Sequence, residues 1–325
     1  MTEKAVCKIC QNSSGNKTHV VHEMHYGTRE PFEYLECASC GCLQLKDVPI
    51  NLGKYYHEDY YSFRLKKIPG PNPVGTFLRR QRSKYCLFGK NKIWPFRMKK
   101  YGSFNWFKKT KVKFDSSILD VGCGSGKLLN RMQRDGFKNL TGVDPFIQED
   151  LNYPNGVRIF KKDIFQLEGQ FDLIISNDSF EHMHNPLKVL RKFYELLKPN
   201  KFVLMRIPVA SSFAWRHYGV NWVALEAPRH LFIHTIKSIQ LLSRKTGFKI
   251  SDIEFVSTER QFIYSELYRR GIPFKDSSKY LQDQKKPIFS KTQIESFKAQ
   301  AKELNRKSDG DQAIFYLYRQ SEKAA

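Results

Sequence analysis

The chain has 325 residues, 41% of them hydrophobic and 27% charged, the balance of a folded globular protein. Apolar runs such as "DLIIS" and "KFVLM" fall far short of the roughly 20 residues that a membrane-spanning helix requires. "MTEKAVCKIC" lacks the apolar stretch of a secretory signal, so seven cysteines are not read as a disulfide framework, and a cytoplasmic location is expected. The formal charge of +23 is concentrated: Tyr60 to Phe114 holds 16 Lys or Arg and no Asp or Glu, which leaves about +7 elsewhere. Such a field favours an anionic partner. Residues 60–114 also interleave their cations with Phe, Trp and Tyr, a mixture that suits an anionic membrane surface and, as the runner-up, a nucleic-acid groove.

In chain order, residues 1–50 are short, polar and cysteine-bearing. Cys7 and Cys10 form one C-x-x-C pair, Cys37 and Cys40 a second, 26 residues on. Four thiolates at this spacing favour tetrahedral Zn²⁺, and four protein ligands leave no position open for catalysis, so the expected site is structural. His19, His22 and His25 lie between the pairs as substitute ligands, although four cysteines suffice, and Cys42 is read as no ligand. Residues 51–114 form a basic, aromatic linker, expected to be partly helical, in which "IPGPNPVG" is a stiff break. Tyr55, Tyr56, Tyr60 and Tyr61 either reach an active site from this linker or pack between the flanking units.

Residues 115–325 alternate strands with amphipathic stretches. "SSILDVG", "NLTGVDP", "VRIFKKD", "FDLIISND", "KFVLMRIP", "KISDIEFVS" and "AIFYLYRQ" read as seven strands, and "KLLNRMQRDG", "NPLKVLRKFYELLKPN" and "IKSIQLLSRKTGF" as helices. The alternation predicts an α/β fold with a parallel, doubly covered sheet. Two insertions interrupt it, 209–235 and 257–310. The first is aromatic, carries three histidines and follows the fifth strand, at the sheet end where ligands bind. The second is polar and helical, and no chemistry is assigned to it.

The turn in "ILDVGCGSGKLL" decides the cofactor. A phosphate loop needs Gly where Val121 stands and Ser or Thr where Leu128 stands, and a dinucleotide fingerprint needs Gly in place of Lys127. What remains is D-x-G-x-G-x-G, from Asp120 through Gly122, Gly124 and Gly126. Alternate glycines let the backbone approach a ligand that carries no phosphate. Asp120 can reach an amino group, Asp144 can accept two ribose hydroxyls, and Asp163 can accept from an adenine amine. Ile164 and Asn177 complete the predicted cofactor set. Acids at successive strand ends suit a cationic nucleoside, S-adenosylmethionine (SAM).

These residues resemble the class I SAM-dependent methyltransferases, which implies a Rossmann-like seven-stranded sheet with its last strand antiparallel. A zinc module ahead of such a domain is similar to a group known from sugar C-methylation and from cell-surface polysaccharide gene clusters. The resemblance takes in "LGKYYHEDYYSF" and "EAPRHLFIHT". It implies a sugar or glycan acceptor, nucleotide-linked or lipid-linked, and a possible site of action at the inner face of the membrane. Methyl transfer to oxygen or carbon needs a general base, and histidine is suited to the task near neutral pH. His182 and His230 are the candidates. In the sugar enzymes a Glu precedes the histidine that matches His230. Here Arg229 stands there, and Glu226 can orient the imidazole instead. Asp178, Glu181 and His182 also look like the E-x-x-E-H motif of quinone-pathway O-methyltransferases, where such groups can hold a divalent metal. Two further readings are an RNA methyltransferase, disfavoured because the fourth strand ends "SNDS" rather than N-P-P-[YF], and a non-catalytic SAM-binding protein.

Overall fold

The computed structural model describes residues 6–56, 73–89, 102–283 and 286–321. Tyr60, Tyr61 and the middle of the basic segment lie outside the described residues. At the N-terminal end β1 (Lys17–His22) pairs antiparallel with β2 (Pro31–Glu36), which pairs with β3 (Leu43–Leu45). About fifty residues are too few to bury a self-sufficient core. This unit completes its sheet with a strand from far along the chain, described below.

Two helices follow, α1 (Pro73–Phe88) and α2 (Gly102–Lys109), so part of the basic segment is helical as expected. The Rossmann-like unit then runs β4 (Ser117–Val121), α3 (Lys127–Asp135), β5 (Asn139–Val143), β6 (Leu151–Asn152), β7 (Arg158–Phe160), β8 (Phe171–Asn177), α4 (Pro186–Leu196) and β9 (Leu197–Pro208). After it come α5 (Phe213–Tyr218), β10 (Phe232–Ile233), α6 (Ile236–Thr246) and β11 (Phe248–Phe255). The second insertion forms α7 (Arg260–Arg269), α8 (Ser277–Leu281) and α9 (Lys291–Arg306), and β12 (Gln312–Arg319) closes the sheet. No described helix is long and apolar enough to cross a membrane.

The large sheet has the order β11-β12-β9-β8-β4-β5-β7-β6. Strands β7, β5, β4, β8 and β9 are parallel, and β12 runs antiparallel to both its neighbours, as expected of the last strand. The sheet has eight strands rather than seven. The addition is the two-residue β6, turned back onto β7 through Tyr153–Gly156, with Gly156 at φ +88°. Seven strands still carry the fold.

Two helices end where the sequence placed them, while α4 stops at Leu196, four residues short of the predicted end, and β9 takes over from Leu197. Gly136 and Gly247 sit in the left-handed region and close α3 and α6, and Thr235 and Asn185 cap the N-termini of α6 and α4 with their side chains. Central strands β4 and β8 bury both faces, which accounts for their unbroken apolar runs.

The first insertion is not a free lid. Its β10 pairs with β3, so the small sheet reads β1-β2-β3-β10. Buried Tyr34 on β2 donates its hydroxyl to the His230 carbonyl at 2.7 Å, and Leu45 N–H donates to Leu231 O at 2.9 Å. Trp222, fully buried, donates to Asp311 at 3.1 Å and ties the insertion to the approach to β12.

Gly142 on β5 shows how tightly the sheet packs against α3. A Cβ there would lie 2.5 Å from Cys123 Sγ, 2.6 Å from Ile159 Cδ1 and 3.0 Å from Leu129 Cδ1. Gly142→Val is expected to destabilise the protein by about 1–3 kcal/mol through overpacking, read as a lowered urea midpoint with an unchanged slope. An unshifted midpoint would contradict this packing.

Candidate active site

The site begins with the turn that leaves β4. Gly122, Gly124 and Gly126 have φ of +71°, +53° and +68°, a region closed to most side chains. Space imposes a second constraint: a Cβ on Gly122 would lie 2.4 Å from Ser179 Cβ. Ser179 is fixed in turn, because its hydroxyl donates to Val121 O at 2.7 Å. The turn leans toward β5, with Gly122 N–H on Val143 O at 2.8 Å. Asp144, at the end of β5, accepts from Gly124 N–H at 2.8 Å and from Phe146 N–H at 2.9 Å, one bond to each carboxylate oxygen.

Above these strand ends lies a cleft enclosing about 940 Å³ of space, part of it open to solvent. Gly122, Asp144, Asp163 and Ile164 line it, together with Phe146, Phe165, Ser179, His182 and Tyr56. Phe146 and Phe165 keep about half of their surface exposed, a large apolar exposure for phenyl rings. The lining fits SAM: two rings and Ile164 offer a flat apolar slot for a purine, and Asp144 has lone pairs left for ribose hydroxyls. Gly124 and Gly126 shape the turn from behind, Gly124 through its bond to Asp144 and Gly126 as the N-cap of α3. Asp163 spends one oxygen on Phe165 N–H, at 2.9 Å. Asn177 ends β8 beside Arg206 and is not on the cleft wall.

Asp120 is also off the wall, only 3% exposed. Burial, and then the neighbouring Asp144 charge, raise its pKa to about 8, and burial raises Asp144 as well. The pair therefore retains a proton near neutrality.

At one edge of the cleft three chain segments meet. His182, from the turn after β8, packs edge-on against His230 of the first insertion, with ring centroids 4.6 Å apart. His182 Nδ1 lies 2.9 Å from Arg229 O and 3.0 Å from the Tyr56 hydroxyl, and His230 Nδ1 lies 2.7 Å from Ala224 O. A carbonyl can only accept, so both Nδ1 atoms carry the proton and both Nε2 atoms present lone pairs. Burial holds both imidazoles below the usual histidine pKa, His182 at about 3, and each is therefore neutral.

Glu226 lies 3.6 Å from His230 Nε2, yet its hydrogen bond goes to Arg229 at 2.7 Å. Burial alone would raise Glu226, but the adjacent Arg229 guanidinium outweighs it and holds the carboxyl below its usual range. His230 is thus oriented by the Ala224 carbonyl, while Glu226 serves the buried Arg229. Asp178, with φ +53°, is committed to Arg206 and to Gln312 Nε2, the latter at 2.8 Å. Tyr56 stacks on Phe146 at 4.9 Å and 7°, so the linker supplies a wall of the cleft. The sequence narrowed that role only to four tyrosines. Phe146 and Phe165 were not anticipated, although each stands two residues after a cofactor-side acid, in "DPF" and "DIF".

Away from the cleft, Cys7, Cys10, Cys37 and Cys40 gather with their sulfurs within 4.8 Å of one another. Cys7 to Cys40 is 3.7 Å and Cys10 to Cys37 is 3.4 Å. Four sulfurs about 2.3 Å from a tetrahedral zinc lie roughly 3.8 Å apart, so the set fits that ion. Backbone N–H groups of Ile9 and Cys40 point at Cys7 and Cys37 sulfurs, both at 3.4 Å, as in paired knuckles. His19 instead pairs with Glu36 at 2.7 Å, His25 stacks on Phe274, and Cys42 stays outside the cluster, 3.9 Å from His234.

Residues 79–253 match a protein family described as a methyltransferase domain. The ubiquinone biosynthesis O-methyltransferase of Pseudomonas aeruginosa is 30% identical over 168 residues, covering 46% of this chain and 71% of that protein. A Pseudomonas putida counterpart is 29% identical with the same coverage. Among solved structures, the [4+2]-cyclase SpnF has 20% identity and a TM-score of 0.46, covering 67% of this chain and 79% of that one. The cyclopropane synthase MmaA2 from Mycobacterium tuberculosis has 16% identity and a TM-score of 0.44, covering 76% and 94%. The chain belongs to the methyltransferase-domain family. It is a SAM-dependent methyltransferase with a class I, Rossmann-like sheet.

The Asp120–Asp144 pair makes a pH prediction. SAM is cationic, and a cation in the cleft favours the ionised pair, so binding near pH 7 should release up to about one proton and tighten as pH rises toward 8. Calorimetry in two buffers of different ionisation heat should give different apparent enthalpies, and Asp120→Asn should abolish the difference. Equal heats for the unaltered protein would contradict the assignment.

Proposed function

We propose that the enzyme methylates a sugar or glycan acceptor, nucleotide-linked or lipid-linked, at the edge of the cleft formed by His182 and His230. The observation that carries this reading is a convergence. The three features similar to the sugar-methylating group are the cysteine unit, the tyrosine-rich linker and the "EAPRHLFIHT" segment. They are remote in sequence, yet they touch one another through Tyr34 and His230, and through Tyr56 and His182.

SAM, when bound, supplies an electrophilic methyl group. The protein holds the cofactor through the glycine turn and Asp144, with His182 on the cleft wall and His230 packed behind it. A neutral imidazole at His230 or His182 offers Nε2 to take the acceptor's proton as the new bond to carbon forms. Zn²⁺ in the four-cysteine cluster is read as structural, since its ligand set is complete.

A lipid-linked acceptor has separate support in α1. Val74, Phe77, Leu78, Tyr85 and Phe88 are exposed along one helical stripe, flanked by exposed Arg79, Arg80 and Lys84. An apolar stripe bordered by cations suits the surface of an anionic bilayer. A phenolic acceptor is the second reading, favoured by the 30% identity to the quinone-pathway enzyme.

Labelled SAM offered with nucleotide sugars, with lipid-linked glycans in anionic vesicles and with catechol-type phenols separates these readings. Label is expected in a sugar fraction, and His230→Ala should lower kcat by about 10²–10⁴-fold with SAM affinity preserved. Label in phenols alone, or full activity of the variant, would overturn the proposal.

A further inference from the structure

We infer that Arg229 is a positioning residue for the proposed base: by occupying Glu226 it leaves Nε2 of His230 free to take a proton. The consequence for catalysis rests on the proposed function, since His230 acts as a base only there. Which nitrogen of His230 carries the proton does not depend on the acceptor.

The geometry is a competition for one oxygen. Glu226 Oε2 lies 2.7 Å from Arg229 Nη2 and 3.6 Å from His230 Nε2. An imidazole beside an unpaired carboxylate donates to it, and a second proton on the ring is then favoured as well. Either change uses up the lone pair at Nε2 that proton abstraction needs. The guanidinium prevents both, because it meets the carboxylate with a charge-assisted hydrogen bond and keeps its own proton. Its place is fixed: Arg229 is 1% exposed, and its guanidinium carbon stands 5.6 Å from the centre of the Tyr26 ring, in the connection between β1 and β2.

The backbone around His230 is held without this side chain. Arg229 N–H donates to Glu226 O at 2.9 Å, Leu231 N–H to Glu181 O at 2.9 Å, and Tyr34 to His230 O at 2.7 Å. The imidazole is held by Ala224 O, 2.7 Å from Nδ1. Groups able to set the charge of His230 come from three elements: Glu226 and Arg229 beside it, Asp178, Glu181 and His182 around the turn after β8, and His25 from the connection between β1 and β2. Asp178 is engaged by Arg206 and Gln312. Burial holds His182 and His25 below the usual histidine range, so both are neutral. Glu181, 3.9 Å from Nε2, is pushed up by burial and keeps its proton. Glu226 is the carboxylate that remains, and Arg229 holds it.

The test is long-range proton–nitrogen magnetic resonance of the full-length, zinc-loaded protein carrying isotope-labelled histidine, with the His230 signals identified by their loss in His230→Asn. The unaltered protein is expected to show a neutral ring with its proton on Nδ1. Arg229→Met should move the proton to Nε2 or add a second one, and should lower kcat for sugar methylation at least about tenfold with SAM affinity unchanged. Replacing the pair together, Glu226→Met with Arg229→Met, should restore the Nδ1–H ring and most of kcat, since no carboxylate is then left unpaired. A side chain that only supports the fold would not be rescued by a second loss. Near-ultraviolet circular dichroism identifies variants that fold, and Arg229→Gln takes the place of Arg229→Met if that one does not. A proton on Nε2 in the unaltered protein, an unmoved proton in the folded single variant, or no return in the double variant would overturn the inference. The expected nitrogen signals with label in phenols alone remove only the acceptor proposal.

Discussion

The antiparallel pairing of Leu43–Leu45 with Phe232–Ile233 joins two segments nearly 190 residues apart, and the cleft edge depends on it. On its own the N-terminal unit has three short strands and one cluster of sulfurs. On its own the first insertion has two strand residues and several buried polar groups. Joined, they form a four-stranded sheet, and Tyr34 then fixes the backbone at His230. Placing His230 in turn fixes what His182, Glu181 and Glu226 can touch. The cysteine cluster thus bears on this edge of the cleft by geometry, lying in the same unit as β3, which pairs with β10.

The cleft has two electrostatic halves. On the cofactor side, buried Asp120 and Asp144 form an anionic pair suited to a positively charged ligand. On the other side, two neutral imidazoles are held by backbone carbonyls with their second nitrogens able to receive a proton. A cationic cofactor and an acceptor that must lose a proton want these two environments next to each other. The turns after β4 and β8 meet through Ser179 and Val121, so the halves are built on one rigid sheet end.

Much of the cofactor half was legible in the sequence, because its signals are local. Gly122, Gly124 and Gly126 are required by their positive φ, and Asp144 is placed by the length of the strand before it. The succession of strands along the chain followed from apolar runs, and the ends of α3 and α6 from their glycines. The acceptor half was legible only as a list of candidates. Nothing near residue 230 announces that Ala224, and not Glu226, holds the imidazole, because that depends on the turn the chain makes there. The pairing of β3 with β10 is equally silent, since two residues carry no periodicity. Likewise, Asp178 looked like a partner for Glu181 by spacing, but its left-handed backbone commits it to Arg206.

The claim that the cysteine unit builds the acceptor wall is tested most directly by hydrogen exchange on a Cys37→Ser variant. Exchange across residues 224–235 should accelerate strongly, while residues 118–130 and the affinity for SAM stay as they were. Unchanged protection at 224–235, or equal loss of protection in both segments, would contradict it.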